Sequence, residues 1–106
     1  KFLNMVAEDS LNLIRSEFEI RNSVFENCFS DCLDDDFSDG TIESTLFNGC
    51  GGDCLDFSGA NVNLNNIEII NAGDKGVSVG EKSDVVIEDI KIEGGYIGLR
   101  VKTFLI

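Results

Sequence analysis

Five aspartates fall within the ten residues 31 to 40, DCLDDDFSDG, and the Asp-Cys-Leu-Asp core returns at residues 53 to 56 in DCLDFSG. Carboxylates at this density, beside turn carbonyls, make an oxygen-rich surface suited to a hard cation such as Ca2+. On this reading Asp34, Asp36, Asp39 and Asp56 are the expected ligands. The competing reading makes them turn aspartates whose side chains cap backbone amides, with their mutual repulsion tolerated in physiological salt. The sequence also contains two C-x3-C pairs, Cys28/Cys32 and Cys50/Cys54, and no histidine. The last absence excludes triad chemistry and histidine-metal chemistry.

Charge narrows the partners. Twenty acidic against 8 basic side chains, a net charge of -12, would repel phosphate, so nucleic acid is not an expected partner. A hydrophobic content of 42% is too high for a disordered acidic tail, which places the charge on a folded surface. At 106 residues the chain is expected to be a single domain, 1–106. No apolar run reaches the ~18 residues of a membrane span, and KFLNMVAEDS lacks the pattern of a signal peptide. A start at Lys1 and a stop on VKTFLI suit excision from a longer protein.

The two acidic copies are held by a repeat. Asp9, Asp31, Asp53 and Lys75 lie 22 residues apart, and Leu11, Leu33, Leu55, Val77 and Leu99 keep the same step. Ile20, Ile42, Leu64 and Ile87 form a second apolar column, and Leu3, Phe25, Phe47, Ile69 and Ile92 a third, each with a one-residue insertion late in the chain. A compensating deletion before Leu99 restores the register. Such self-similarity signals stacked units, none of which buries its own apolar face. Each unit reads as short alternating stretches such as Leu55-Asp56-Phe57 and Val77-Ser78-Val79, separated by Asn, Gly, Asp and Ser, which is strand and turn. The expected fold is all-β: a parallel β-helix, or solenoid, of nearly five coils with residues 1–10 as a partial first coil and 102–106 as an irregular end.

The segment NGCGGDCLDFSGANVNLNNIEIINAGDKGVSVGEKSDVVIEDIKIEGGYIGL resembles the right-handed parallel β-helix repeats of the pectate-lyase-like superfamily. The resemblance spans residues 9 to 101. It implies the right hand of the coil and an extracellular or cell-surface setting, but the same coil serves lyases, epimerases, adhesins and passive stalks.

In this register Asp31 lies under Asp53 and Asp34 under Asp56, so the two acidic stretches are one surface patch. With Leu33 and Leu55 inward, alternation would send Cys32, Asp34, Cys54 and Asp56 outward. Carboxylates ~5 Å apart there repel by roughly 1 to 3 kcal/mol, which calls for compensation. Lys75 continues the Asp31/Asp53 column and Arg100 the Asp34/Asp56/Ser78 column. The resemblance therefore offers a calcium-dependent polysaccharide lyase or epimerase, with Lys75 as base and Arg100 as substrate clamp. Against it, Asp74 and Glu81 would raise the Lys75 pKa rather than lower it. The leading expectation is a non-catalytic surface or assembly domain whose acidic face binds cations or carbohydrate, and a purely structural stalk is the third reading.

Cys28/Cys50 and Cys32/Cys54 each share a column, and four cysteines permit three pairings among which the sequence does not choose. In-register neighbours do not naturally reach disulfide geometry, so buried thiols are expected at Cys28 and Cys50. A four-cysteine zinc site is disfavoured because alternation splits the two columns between turn and outer face. Asn27, Asn48, Asn61, Asn65, Asn66 and Asn71 are assigned to corners, and Val24 and Leu46 to an outward contact face. Uncapped β-helix ends expose unpaired backbone groups, so self-association through the ends or an apolar face is expected, with an acidic polysaccharide as a further partner through the cation.

Overall fold

A computed structural model of the chain describes residues 2–3, 11–95 and 97–101, which are strand and turn with no helix among them. One parallel sheet stacks β2 (Leu11–Ile14), β5 (Leu33–Asp36), β7 (Leu55–Ser58), β9 (Lys75–Val79) and β11 (Ile97–Val101) in that order. The other stacks β1 (Phe2–Leu3), β4 (Val24–Cys28), β6 (Asp39–Cys50), β8 (Asn61–Ala72) and β10 (Asp84–Glu93), with β3 (Glu17–Arg21) also paired to β6. The chain alternates between the sheets and climbs one strand spacing per turn. Leu11, Leu33, Leu55, Val77 and Leu99 are backbone partners in succession and mark four complete turns. The nearly five coils expected include residues 1–10, which apart from Phe2–Leu3 lie outside the described residues, as do 102–106.

Three columns of left-handed backbone make the corners. Arg15, Phe37, Gly59 and Lys82 form one; Asn22, Ser44, Asn66 and Asp89 the second; Asn27, Gly49, Asn71 and Gly94 the third, with φ between 46° and 77°. Asparagine and glycine tolerate this region best, which explains their recurrence. At the second corner β6, β8 and β10 bend without leaving their ladder, and Asn66 Nδ2 donates to Ser44 Oγ of the coil before at 3.2 Å. Of the asparagines assigned to corners, Asn27, Asn66 and Asn71 have left-handed backbone and make corners, whereas Asn48, Asn61 and Asn65 do not. The late insertion falls in the turn after β9, since Phe57 partners Val79 at a step of 22 but Asn61 partners Asp84 at 23.

Inside, like residues stack on like. Phe25 and Phe47 lie with ring centroids 4.7 Å apart and planes 19° from parallel, matching the spacing of parallel strands. Ile69 and Ile92 continue that column, and Ile20, Ile42, Leu64 and Ile87 form the next. The register at the first coil is shifted: Phe2, not Leu3, partners Phe25.

Two expectations about the cysteines are overturned. Cys28–Cys32 and Cys50–Cys54 are disulfides within their own coils, with Cα separations of 5.3 and 5.2 Å. Cys32 and Cys54 are also fully buried rather than outward. Strand alternation starts only at Leu33 and Leu55, so the residue before each follows the corner geometry and turns into the core.

Candidate functional site

The acidic corner is built by the turns that enter β5, β7 and β9. Asp31 Oδ1 accepts the amide of Asp53 at 2.8 Å, and Asp53 Oδ1 accepts the amide of Lys75 at 3.1 Å. Each aspartate thus caps its counterpart one coil on, as turn aspartates do. The column ends in a cation: Lys75 Nζ donates to Asp74 Oδ2 at 2.6 Å and lies 3.4 Å from Asp53 Oδ1. The Lys75 and Asp53 side chains are only 15% and 11% exposed.

Asp56 joins this column from the neighbouring strand position. Asp31, Asp53 and Asp56 each offer a carboxylate oxygen, and the three oxygens lie within 4.8 Å of one another. Burial raises the Asp56 pKa, the Asp53 charge raises it further, and a hydrogen bond with Asp31 and the Lys75 charge oppose the rise. The corner is therefore short of positive charge despite Lys75. Oxygens bound to one Ca2+ at about 2.3–2.6 Å lie no more than about 5 Å apart, so the spacing fits a shared cation.

The structure sorts the residues singled out in the sequence. Asp34 and Asp56 are backbone partners, and Asn12, Ser78 and Arg100 extend their column. Asp56 reaches the three-carboxylate cluster; Asp36 acts on it through its charge. Asp39 stands beyond the Phe37 corner at the start of β6, where its Oδ1 accepts both the backbone and side-chain nitrogens of Asn61 at 3.2 Å. Asp31 and Asp53, read as a column but not as ligands, are the other two members of that cluster, and Asp34, Asp36 and Asp39 are not among its three carboxylates. Lys75 is held as a cation, its pKa raised chiefly by the hydrogen bond to Asp74, and this opposes a role as base.

One further carboxylate lies outside the expected set. Asp35 alternates inward on β5 between Leu13 and Phe57 and is fully buried. Its Oδ1 accepts the Ser38 amide at 2.9 Å, while Oδ2 has no hydrogen-bond partner. Burial pushes its pKa up to about 6 against the Ser38 hydrogen bonds, with small upward contributions from Asp36 and Asp39. The signal was present: residues 13, 35, 57 and 79 read Leu, Asp, Phe and Val, an acid in an apolar column.

Val24 and Leu46 are half-buried and share a shallow depression of about 400 Å³ with polar residues including Ser44, Thr45 and Glu68. Among the described residues no helix is long and apolar enough to cross a membrane.

Comparison with curated proteins and with solved structures finds no match in either. The family model described as "Right handed beta helix region" matches residues 10–104, nearly the whole chain and all four turns seen in the structure. With stacked parallel coils, left-handed corners and this match, the chain belongs to the right-handed β-helix family.

Proposed function

We propose that this β-helix is a non-catalytic surface or assembly module whose acidic corner takes up a hard divalent cation, Ca2+ in the first instance. The observation that carries the reading is the convergence of Asp31, Asp53 and Asp56 oxygens within 4.8 Å. The raised pKa of Asp56 supports it, because a carboxylate destabilised by burial and a like charge gains most from a cation. A bound ion with open coordination positions would bridge to the carboxylates of an acidic polysaccharide. Self-association is proposed along apolar surface, where Ile14, Phe29, Phe37 and Val86 are each more than half exposed. The lyase or epimerase alternative is weakened by Lys75, which is ion-paired and has a raised rather than lowered pKa.

The test is thermal unfolding of metal-stripped protein across a calcium series. A saturable rise in Tm that Asp56→Asn abolishes supports the cation site, since a ligand bound only by the folded state stabilises it by mass action. No shift in the wild type would leave the aspartates as amide caps.

A further inference from the structure

Outside the acidic corner, the densest chemistry in the molecule is sulfur. Cys28 and Cys50 are backbone partners on β4 and β6, and Cys32 and Cys54 end the turns that follow. The two disulfides meet: Cys32 Sγ lies 2.9 Å from Cys50 Sγ across the coil boundary. The sulfurs of Cys28, Cys32 and Cys50 all lie within 4.8 Å of one another, and Cys54 is bonded to Cys50. All four residues are at most 4% exposed. Their spacing, C-x3-C, seventeen residues, C-x3-C, falls within the range of paired zinc knuckles. Cys32 and Cys54 turn inward at the corner, so strand alternation does not send them to a different face from Cys28 and Cys50.

We propose that the four cysteines form a redox-gated site for a soft divalent metal ion of the zinc class, closed as two disulfides when oxidised and holding one ion between coils when reduced. Four thiolates around such an ion stand about 2.3 Å from it and therefore about 3.8 Å from one another. The side chains start from adjacent positions: the Cα atoms within each pair are 5.3 and 5.2 Å apart, Cys28 and Cys50 are backbone partners, and three of the four sulfurs already lie within 4.8 Å of one another. In the opening step a phosphine reductant breaks the Cys28–Cys32 and Cys50–Cys54 bonds. Two phosphines are oxidised to phosphine oxides, and two waters supply the oxygens and the four thiol protons. The ion then displaces those protons and forms four metal–sulfur bonds. The metal takes over the cross-linking that the disulfides provided, as binding to thiolates and folding are coupled.

The experiment is an anaerobic titration of the phosphine-reduced protein with Co2+, read by absorption and by circular dichroism, followed by Zn2+. The expected result is one equivalent of Co2+ giving thiolate-to-metal charge transfer and tetrahedral ligand-field bands, displaced by Zn2+. The oxidised protein should give neither band, and Cys50→Ser should weaken Co2+ binding at least tenfold. Reduced protein that keeps its strand signal without charge transfer would overturn the proposal. So would a strand signal lost on reduction and not restored by either ion.

Discussion

Asp53 and Lys75, one coil apart in a single column, are joined twice: Asp53 Oδ1 accepts the Lys75 amide at 3.1 Å and lies 3.4 Å from its Nζ. One carboxylate oxygen thus links the turn of one coil to the backbone and the side chain of the next. Lys75 is the built-in counter-charge of an acidic corner, and its removal separates structural from binding roles. Lys75→Met should lower stability by roughly 1 to 3 kcal/mol, because it leaves the mostly buried Asp53 without its ion pair. Denaturant titration at neutral pH measures that loss. The same variant should bind Ca2+ more tightly than the wild type, since the competing ammonium is gone, and unchanged affinity would argue against a shared corner.

Asp35 gives the fold a pH dependence of definite sign. Its pKa is about 6 in the folded chain and near the ordinary 3.8 when unfolded, so between those values the folded state binds more protons. Stability is therefore greatest below about pH 4 as far as this group is concerned, falls as pH rises through the window, and is lower by up to about 3 kcal/mol above pH 6. Asp35→Asn should remove that part of the slope and stabilise the protein at pH 7. Parallel pH profiles of the two proteins would refute the assignment.

The disulfides cross corners, not coils. Cleavage of unreduced protein between Cys32 and Cys50 should yield fragments that separate under denaturing conditions, because neither bond spans the cut. A Cys28–Cys50 or Cys32–Cys54 link would hold them together. Replacing Cys28 and Cys32 together by alanine should cost about 2 kcal/mol through the closed loop alone.

Phe47 stands between Phe25 and Ile69 in one of the apolar columns and is fully buried. Phe47→Ala should destabilise by about 3 to 5 kcal/mol, since neighbours fixed by strand pairing on both sides close poorly over the gap. Chemical denaturation gives the value, and a loss below about 1 kcal/mol would contradict a rigid stacked core.

The sequence carried most of the fold because a solenoid repeats its register. Leu33 over Leu11 and Ile42 over Ile20 are the same physical statement made at successive levels, and the backbone pairs them as the period requires. The period names a residue's column but not the direction of its side chain. That direction follows from alternation only inside a strand, which is why Asp35 and Leu33 point into the core together. Cys32 sits before the strand, at the corner, where alternation does not hold, and so its burial and its bond to Cys28 were not legible. The same limit governs the acidic corner. Asp31 and Asp53 were visible as a column, but only the turn geometry directs their carboxylates toward Asp56 and leaves Asp39 on the next face.

Calorimetric titration of metal-stripped protein with Ca2+, alongside the Asp31→Asn/Asp56→Asn double variant, tests the central claim most directly. A shared cation corner requires one saturable binding event in the wild type and none in the variant. Flat heats in both, or equal binding in both, would contradict it and leave the aspartates of this β-helix as caps for the backbone of the next coil.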